Sequence, residues 1–69
     1  MESMEAYNAE MAALEEAART GKPVRLFFCT GYQAEVVIES FDTEVIVCRR
    51  VGKDKLWLVY RDKLCTIEV

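Results

Sequence analysis

Ile38-Glu39-Ser40-Phe41-Asp42 closes one alternating apolar stretch and leads into another apolar run, Val45 to Cys48. Upstream of it, Tyr32, Ala34, Val36 and Ile38 alternate with Gln33, Glu35, Val37 and Glu39, the period of a strand with one buried face. The alternation fails at Glu39-Ser40, since the next large apolar residue after Ile38 is Phe41. Such a break predicts a bulge or sharp bend, which lets a short sheet curl toward a barrel.

On the N-terminal side, Val24, Leu26 and Phe28 alternate with Arg25, Phe27 and Cys29, and Thr30-Gly31 turns this strand back as a hairpin. On the C-terminal side, Val45 to Cys48 is apolar on both faces. That pattern predicts cover from two sides, by the barrel interior and by a helix or a neighbouring subunit. Arg49, Arg50, Lys53 and Lys55 surround the turn Gly52-Lys53-Asp54, either as a solvated loop or as an anion-attracting one. Leu56 to Tyr60 and Leu64 to Val69 supply two last strands about a tight turn at Asp62-Lys63.

The first twenty residues obey a different period. Met4, Tyr7, Met11, Leu14 and Ala18 recur at helical spacing among Ala and Glu, which predicts a helix over residues 4–20 with one apolar stripe. Ser3 caps its start, Glu5 suits its first turn, and Gly21 followed by Pro23 ends it. The stripe packs on the barrel of its own chain or, being rich in Met, on a partner. The whole chain therefore reads as one domain over residues 1–69, a helix followed by a five-stranded barrel over residues 23–69.

Sixty-nine residues bury a core that seldom stabilises itself without a disulfide, a metal or oligomerisation. Cys29, Cys48 and Cys65 are odd in number and set among apolar strand residues, so they do not read as a disulfide framework. With no histidine and no Cys-x-x-Cys pair, a zinc site lacks ligands, and no cofactor is implied. Oligomerisation remains. The chain opens on no secretory leader and has no apolar run of bilayer-spanning length, which leads to the expectation of a reduced, cytoplasmic setting.

The formal net charge of −3 is unevenly spread. Residues 1–20 carry Glu2, Glu5, Glu10, Glu15 and Glu16 against Arg19, a net of −4, whereas residues 21–69 carry eight bases against seven acids, a net of +1. No Gly-rich phosphate loop, histidine, or serine or cysteine beside a recognisable base is present, so the sequence offers no catalytic constellation and is not read as an enzyme.

An apolar strand, a glycine turn, an alternating strand and then Ile-x-x-Phe-Asp before a third apolar run together resemble the Sm signature, most closely its bacterial Hfq form. The resemblance spans about Pro23 to Val69, and Ile38 to Asp42 followed by Val45-Ile46 is its most specific part. It implies a mainly β fold, an N-terminal helix followed by a strongly bent SH3-like barrel, assembling into a hexameric or heptameric homo-oligomeric ring that binds single-stranded RNA as a chaperone in post-transcriptional regulation. In such a ring the fourth strand of one subunit pairs with the fifth of the next, a heterologous contact that closes on itself. The expected interface residues are Trp57, Val59, Tyr60, Cys65 and Ile67, with Trp57 serving either interface or core.

The resemblance also implies two RNA-binding faces. In an up-and-down meander the turns after the first and third strands share one end, and the turns after the second and fourth share the other. The second end gathers Phe41, Asp42, Thr43, Glu44, Arg61, Asp62 and Lys63. There uridine-binding positions are altered: Glu44 stands in place of an aromatic or apolar residue, Thr43 in place of a glutamine, and Tyr60-Arg61-Asp62 in place of Tyr-Lys-His. Arg61 preserves the lysine's charge, while Asp62 and Glu44 repel phosphate. Asp42 has the look of a structural residue that hydrogen-bonds this loop.

On the opposite, adenine-binding face, Phe27 holds the stacking position, Tyr32 a platform position, and Thr30 and Thr66 polar positions. Ala34 and Glu35 replace a larger apolar residue and an amide. Phe27 and Tyr32 either stack on bases or pack against a neighbouring subunit. The sequence thus leads to an expected partner, A-rich RNA ahead of U-rich RNA, with a ring-shaped protein-interaction scaffold that has lost RNA binding as the alternative.

Overall fold

A computed structural model describes the backbone of residues 2–69 and the side chains of residues 9–69. Helix α1 spans Glu2–Thr20 and is followed by β1 (Val24–Phe28), β2 (Gln33–Phe41), β3 (Val45–Arg50), β4 (Leu56–Tyr60), a single 3-10 turn (Arg61–Lys63) and β5 (Leu64–Glu68). The helix starts two residues before the expected Met4, and the side chains of Ser3, Met4, Glu5 and Tyr7 lie outside the described residues. It ends as its composition predicts. Gly21 takes a left-handed φ of 71° and its N–H donates to the Ala17 carbonyl at 3.0 Å, a helix stop that an L side chain would strain.

The five strands form one antiparallel sheet in the order β4-β3-β2-β1-β5. The hairpin register sets Leu26 opposite Ala34 and Phe27 opposite Gln33, and Gly31 turns the chain at φ 96°. The β2–β3 register shifts between Ile38 and Ser40, where the alternation broke in the sequence, so Ile38 faces Cys48 while Phe41 faces Ile46. The bulge keeps Ile38 and Phe41 on the inner face despite their odd spacing.

Inside the bent sheet, Leu26, Val36, Ile38, Ile46 and Cys48 are almost completely buried, and α1 lays Leu14 and Ala17 onto them. Each fully buried Leu, Ile or Val stabilises the fold by about 1.5–3 kcal/mol. The described part of the helical stripe therefore packs on its own barrel: Leu14 is buried and Met11 and Ala18 are half-buried, while Ala17, outside the predicted stripe, is buried as well. Burial, with the Glu39 charge adding to it, pushes the Cys48 thiol up to about 11, so it stays protonated at neutral pH and behaves as an apolar filler.

Within the single chain, strand β3 receives only one of the two covers that its composition predicts, leaving the second to the neighbouring subunit expected from the sequence. Ile46 and Cys48 are buried, but Val45 and Val47 on the other face are only half-buried, and α1 lies over β2. Strands β4 and β5 are the two edges, each hydrogen-bonded along one side only. Among the described residues no helix is long and apolar enough to cross a membrane.

The link from β4 to β5 departs from a simple meander. The Arg61 N–H donates to the Glu44 carbonyl at 2.8 Å, at the β2–β3 turn, while the Lys63 carbonyl accepts from the Cys29 N–H at 2.9 Å, beside the β1–β2 turn. Arg61 thus lies at the expected end and Lys63 does not. The reason is that β5 pairs with β1 rather than with β4, so one 3-10 turn must carry the chain across the gap between the sheet's edges.

Candidate RNA-binding faces

The residues expected to contact RNA separate into three places. On the outer face of β1, β2 and β5, Phe27 lies between Gln33 on one neighbouring strand and Thr66 on the other. Two residues back, Arg25 lies between Glu35 and Glu68 in the same way. Phe27 is half-buried and is absent from the side chains packed against the core, so its ring lies on the surface of the sheet, flanked by an amide and a hydroxyl. This row combines a stacking surface with hydrogen-bonding groups on either side, and the next row sets a cation between two carboxylates.

Thr30 and Tyr32 stand apart from that row. They sit at the β1–β2 turn and line an apolar cavity of about 600 Å³ with Trp57, Leu58 and Tyr60 of the β4 edge. The Tyr32 ring packs against Phe28 with centroids 5.7 Å apart and planes tilted by 52°, a favourable aromatic geometry. Trp57 is half-buried against the core, with the Arg50 guanidinium 5.1 Å from its ring centroid. The basic cluster is thereby partly engaged: Arg49 also binds the Glu39 carboxylate and the Asp54 carbonyl. Lys53 and Lys55 remain exposed.

Arg61 lies at the other end, beneath α1. Its guanidinium donates to the Asp42 carbonyl at 2.8 Å, touches the Met11 sulfur at 3.5 Å and pairs with the Glu10 carboxylate. Thr43, Glu44, Tyr60 and Asp62 surround a polar cavity of about 310 Å³ beside it. Asp42 anchors this loop, since its Oδ1 accepts from the N–H groups of Glu44 at 2.7 Å and Val45 at 2.8 Å. Those two bonds, aided by the Arg61 charge, hold its carboxyl below the usual 3.8 despite an opposing desolvation effect.

A depressed carboxyl stabilises the fold above its unfolded pKa, and that contribution disappears as pH falls through the folded value. Thermal melts of wild type and Asp42→Asn should therefore differ at neutral pH, with the variant less stable. The gap should close as pH drops below 3.8. A gap that persists unchanged into that range would show that the Asp42 charge does not anchor the loop.

The expected interface residues lie on the two sheet edges. On β4, Val59 is buried, Trp57 is half-buried and Tyr60 is 56% exposed; on β5, Ile67 is half-buried and Cys65 is exposed. Three contributors were missed from sequence: Gln33 and Arg25, which flank the outer face, and Glu10. The first two were within reach, because the Thr30-Gly31 turn fixes the hairpin register and places Gln33 opposite Phe27. No sequence signal linked Glu10 to Arg61, which lies at the far end of the chain.

No family model and no curated protein sequence matches the chain. Among solved structures it is similar to the 1.55 Å crystal structure of the pleiotropic translational regulator Hfq, with 31% sequence identity and a TM-score of 0.80. The match covers 88% of this chain and 98% of that one. With the helix, the strand order, the bulge after Ile38 and the Asp42 loop anchor already in place, an identity of this size over nearly the full length of both chains makes this protein a member of the Hfq family of Sm-like proteins.

Proposed function

We propose that the chain forms a homo-oligomeric ring which binds single-stranded RNA and, like the translational regulator Hfq that it is similar to, regulates translation, with the outer face around Phe27 as the principal RNA surface. The observation that carries this reading is the Gln33–Phe27–Thr66 row, an aromatic ring flanked by polar groups and not used by the core. Assembly is supported by the two unpaired edges and by the apolar side chains that β4 leaves exposed, Leu56, Leu58 and Tyr60. Pairing β4 of one copy with β5 of the next satisfies both edges and supplies the stabilisation that a core this small lacks.

The preference follows from charge and shape. The Phe27 face offers a stacking surface, and Glu35 can accept from an adenine amine, so A-rich RNA suits it. The helix-bearing face sets Glu44 and Asp62 around its cavity and has Arg61 already paired, which disfavours U-rich RNA there. That same arrangement favours the second reading, a ring that serves as a protein-interaction scaffold.

Titration of the intact protein with short A-rich and U-rich oligonucleotides at low and physiological salt tests the proposal. Binding of the A-rich strand, weakening with salt, is the expected result. Absence of binding by either strand at low salt would overturn the RNA reading in favour of the scaffold.

A further inference from the structure

Arg61 is a cation that the fold carries beneath α1, and its environment shows two kinds of partner. The Asp42 carbonyl and the Met11 sulfur are fixed parts of the loop and of α1. The Glu10 carboxylate is different, for it reaches in on a flexible stem from the helix surface, with its side chain 46% exposed against 11% for Arg61. Glu10 is thus the outermost ligand of a guanidinium that is otherwise enclosed by protein. A guanidinium binds carboxylate and phosphate by the same forked geometry, so the group that Glu10 satisfies is one that a phosphate would satisfy equally well.

We propose that Glu10 is a built-in competitor for an anion site at Arg61, so that a phosphodiester of RNA enters the helix-bearing face only by displacing this carboxylate. The inference rests on the RNA-binding reading above and deepens it by naming what regulates the weaker face. Beside the ion pair, Glu10 and Arg61 line a small cavity of about 70 Å³ together with Leu64. Displacement does not require α1 to leave. Leu14, one helical turn further on, and Ala17 hold the helix on the core, so only the Glu10 side chain has to swing away. An ion pair with one half-exposed partner is weak enough for such exchange.

Glu10→Gln keeps the size of the side chain and removes its charge, and Glu15→Gln makes the same charge change at an exposed position elsewhere on α1. With the full chain and a fluorescent U-rich oligonucleotide at low salt, Glu10→Gln should bind about threefold or more tightly than wild type, and more tightly than Glu15→Gln. Adding Arg61→Gln to Glu10→Gln should abolish the gain, and A-rich binding should be unaffected by Glu10→Gln. If A-rich binding persists while Glu10→Gln gains no more than Glu15→Gln, the competitor role is wrong and the RNA-binding reading stands. If no variant binds either oligonucleotide, both are wrong.

Discussion

Leu58→Asp is expected to prevent the proposed ring from forming, leaving monomers or small, unstable oligomers at micromolar concentration. Leu58 is 58% exposed in the single chain, at the middle of the β4 edge, opposite the half-buried Val47 and flanked on the same face by Leu56 and Tyr60. Within the chain the substitution removes little packing. In a ring built from β4–β5 pairing it places an unpartnered carboxylate in every subunit contact, at a cost of several kcal/mol for each. Light scattering or native mass spectrometry should report the loss of assembly, and circular dichroism should show strand content in whatever remains folded. The melting temperature should also become lower than that of wild type, because an assembled state adds stability by mass action and this variant forfeits it. Val59→Pro would be a poorer test, since Val59 is 5% exposed and packs opposite Ile46, so proline there would damage the chain itself. Wild-type assembly by Leu58→Asp would exclude the outer side of β4 from the contact and with it the proposed ring.

The strands were legible in the sequence because each has one buried face and the turns between the first three are short. Alternation placed Val24, Leu26, Ala34, Val36 and Ile38 inward, where the structure buries them, and the irregular Ile38–Phe41 spacing marked the bulge. What was not legible depends on closure. Periodicity says which face a strand buries but not which strand it pairs with, and the pairing of β5 with β1 moves Lys63 to the β1–β2 turn. The same limit applies to function. Local pattern placed Phe27 on an outward face and Arg61 near the Asp42 loop, but the Glu10–Arg61 pair joins the two ends of the chain and arises only when α1 is laid across the curled sheet. Val45 and Val47 fall between these cases: their apolar character was plain, and the cover that it calls for is absent from the single chain.

Phe27→Ala is expected to weaken A-rich RNA binding by about 1–3 kcal/mol, the usual worth of one base stacked on an aromatic ring. That corresponds to roughly fivefold to 150-fold in the dissociation constant. The effect should be separable from stability, because Phe27 lies on the outer face and outside the packed core, whereas its neighbour Phe28 packs against that core and against Tyr32. The position also makes the effect specific to one face. Gln33 and Thr66 flank the ring laterally, and in the adjoining row Arg25 is set between Glu35 and Glu68, one cation in register with two acids. Stacking must then supply more of the affinity here than phosphate contacts do, and the fold-loss on removing the ring should vary little between low and physiological salt. U-rich binding at the Arg61 end should be unaffected. An unchanged A-rich affinity in an intact Phe27→Ala assembly would remove this face from RNA recognition, and a loss that faded with rising salt would mean that charge rather than the aromatic surface governs it.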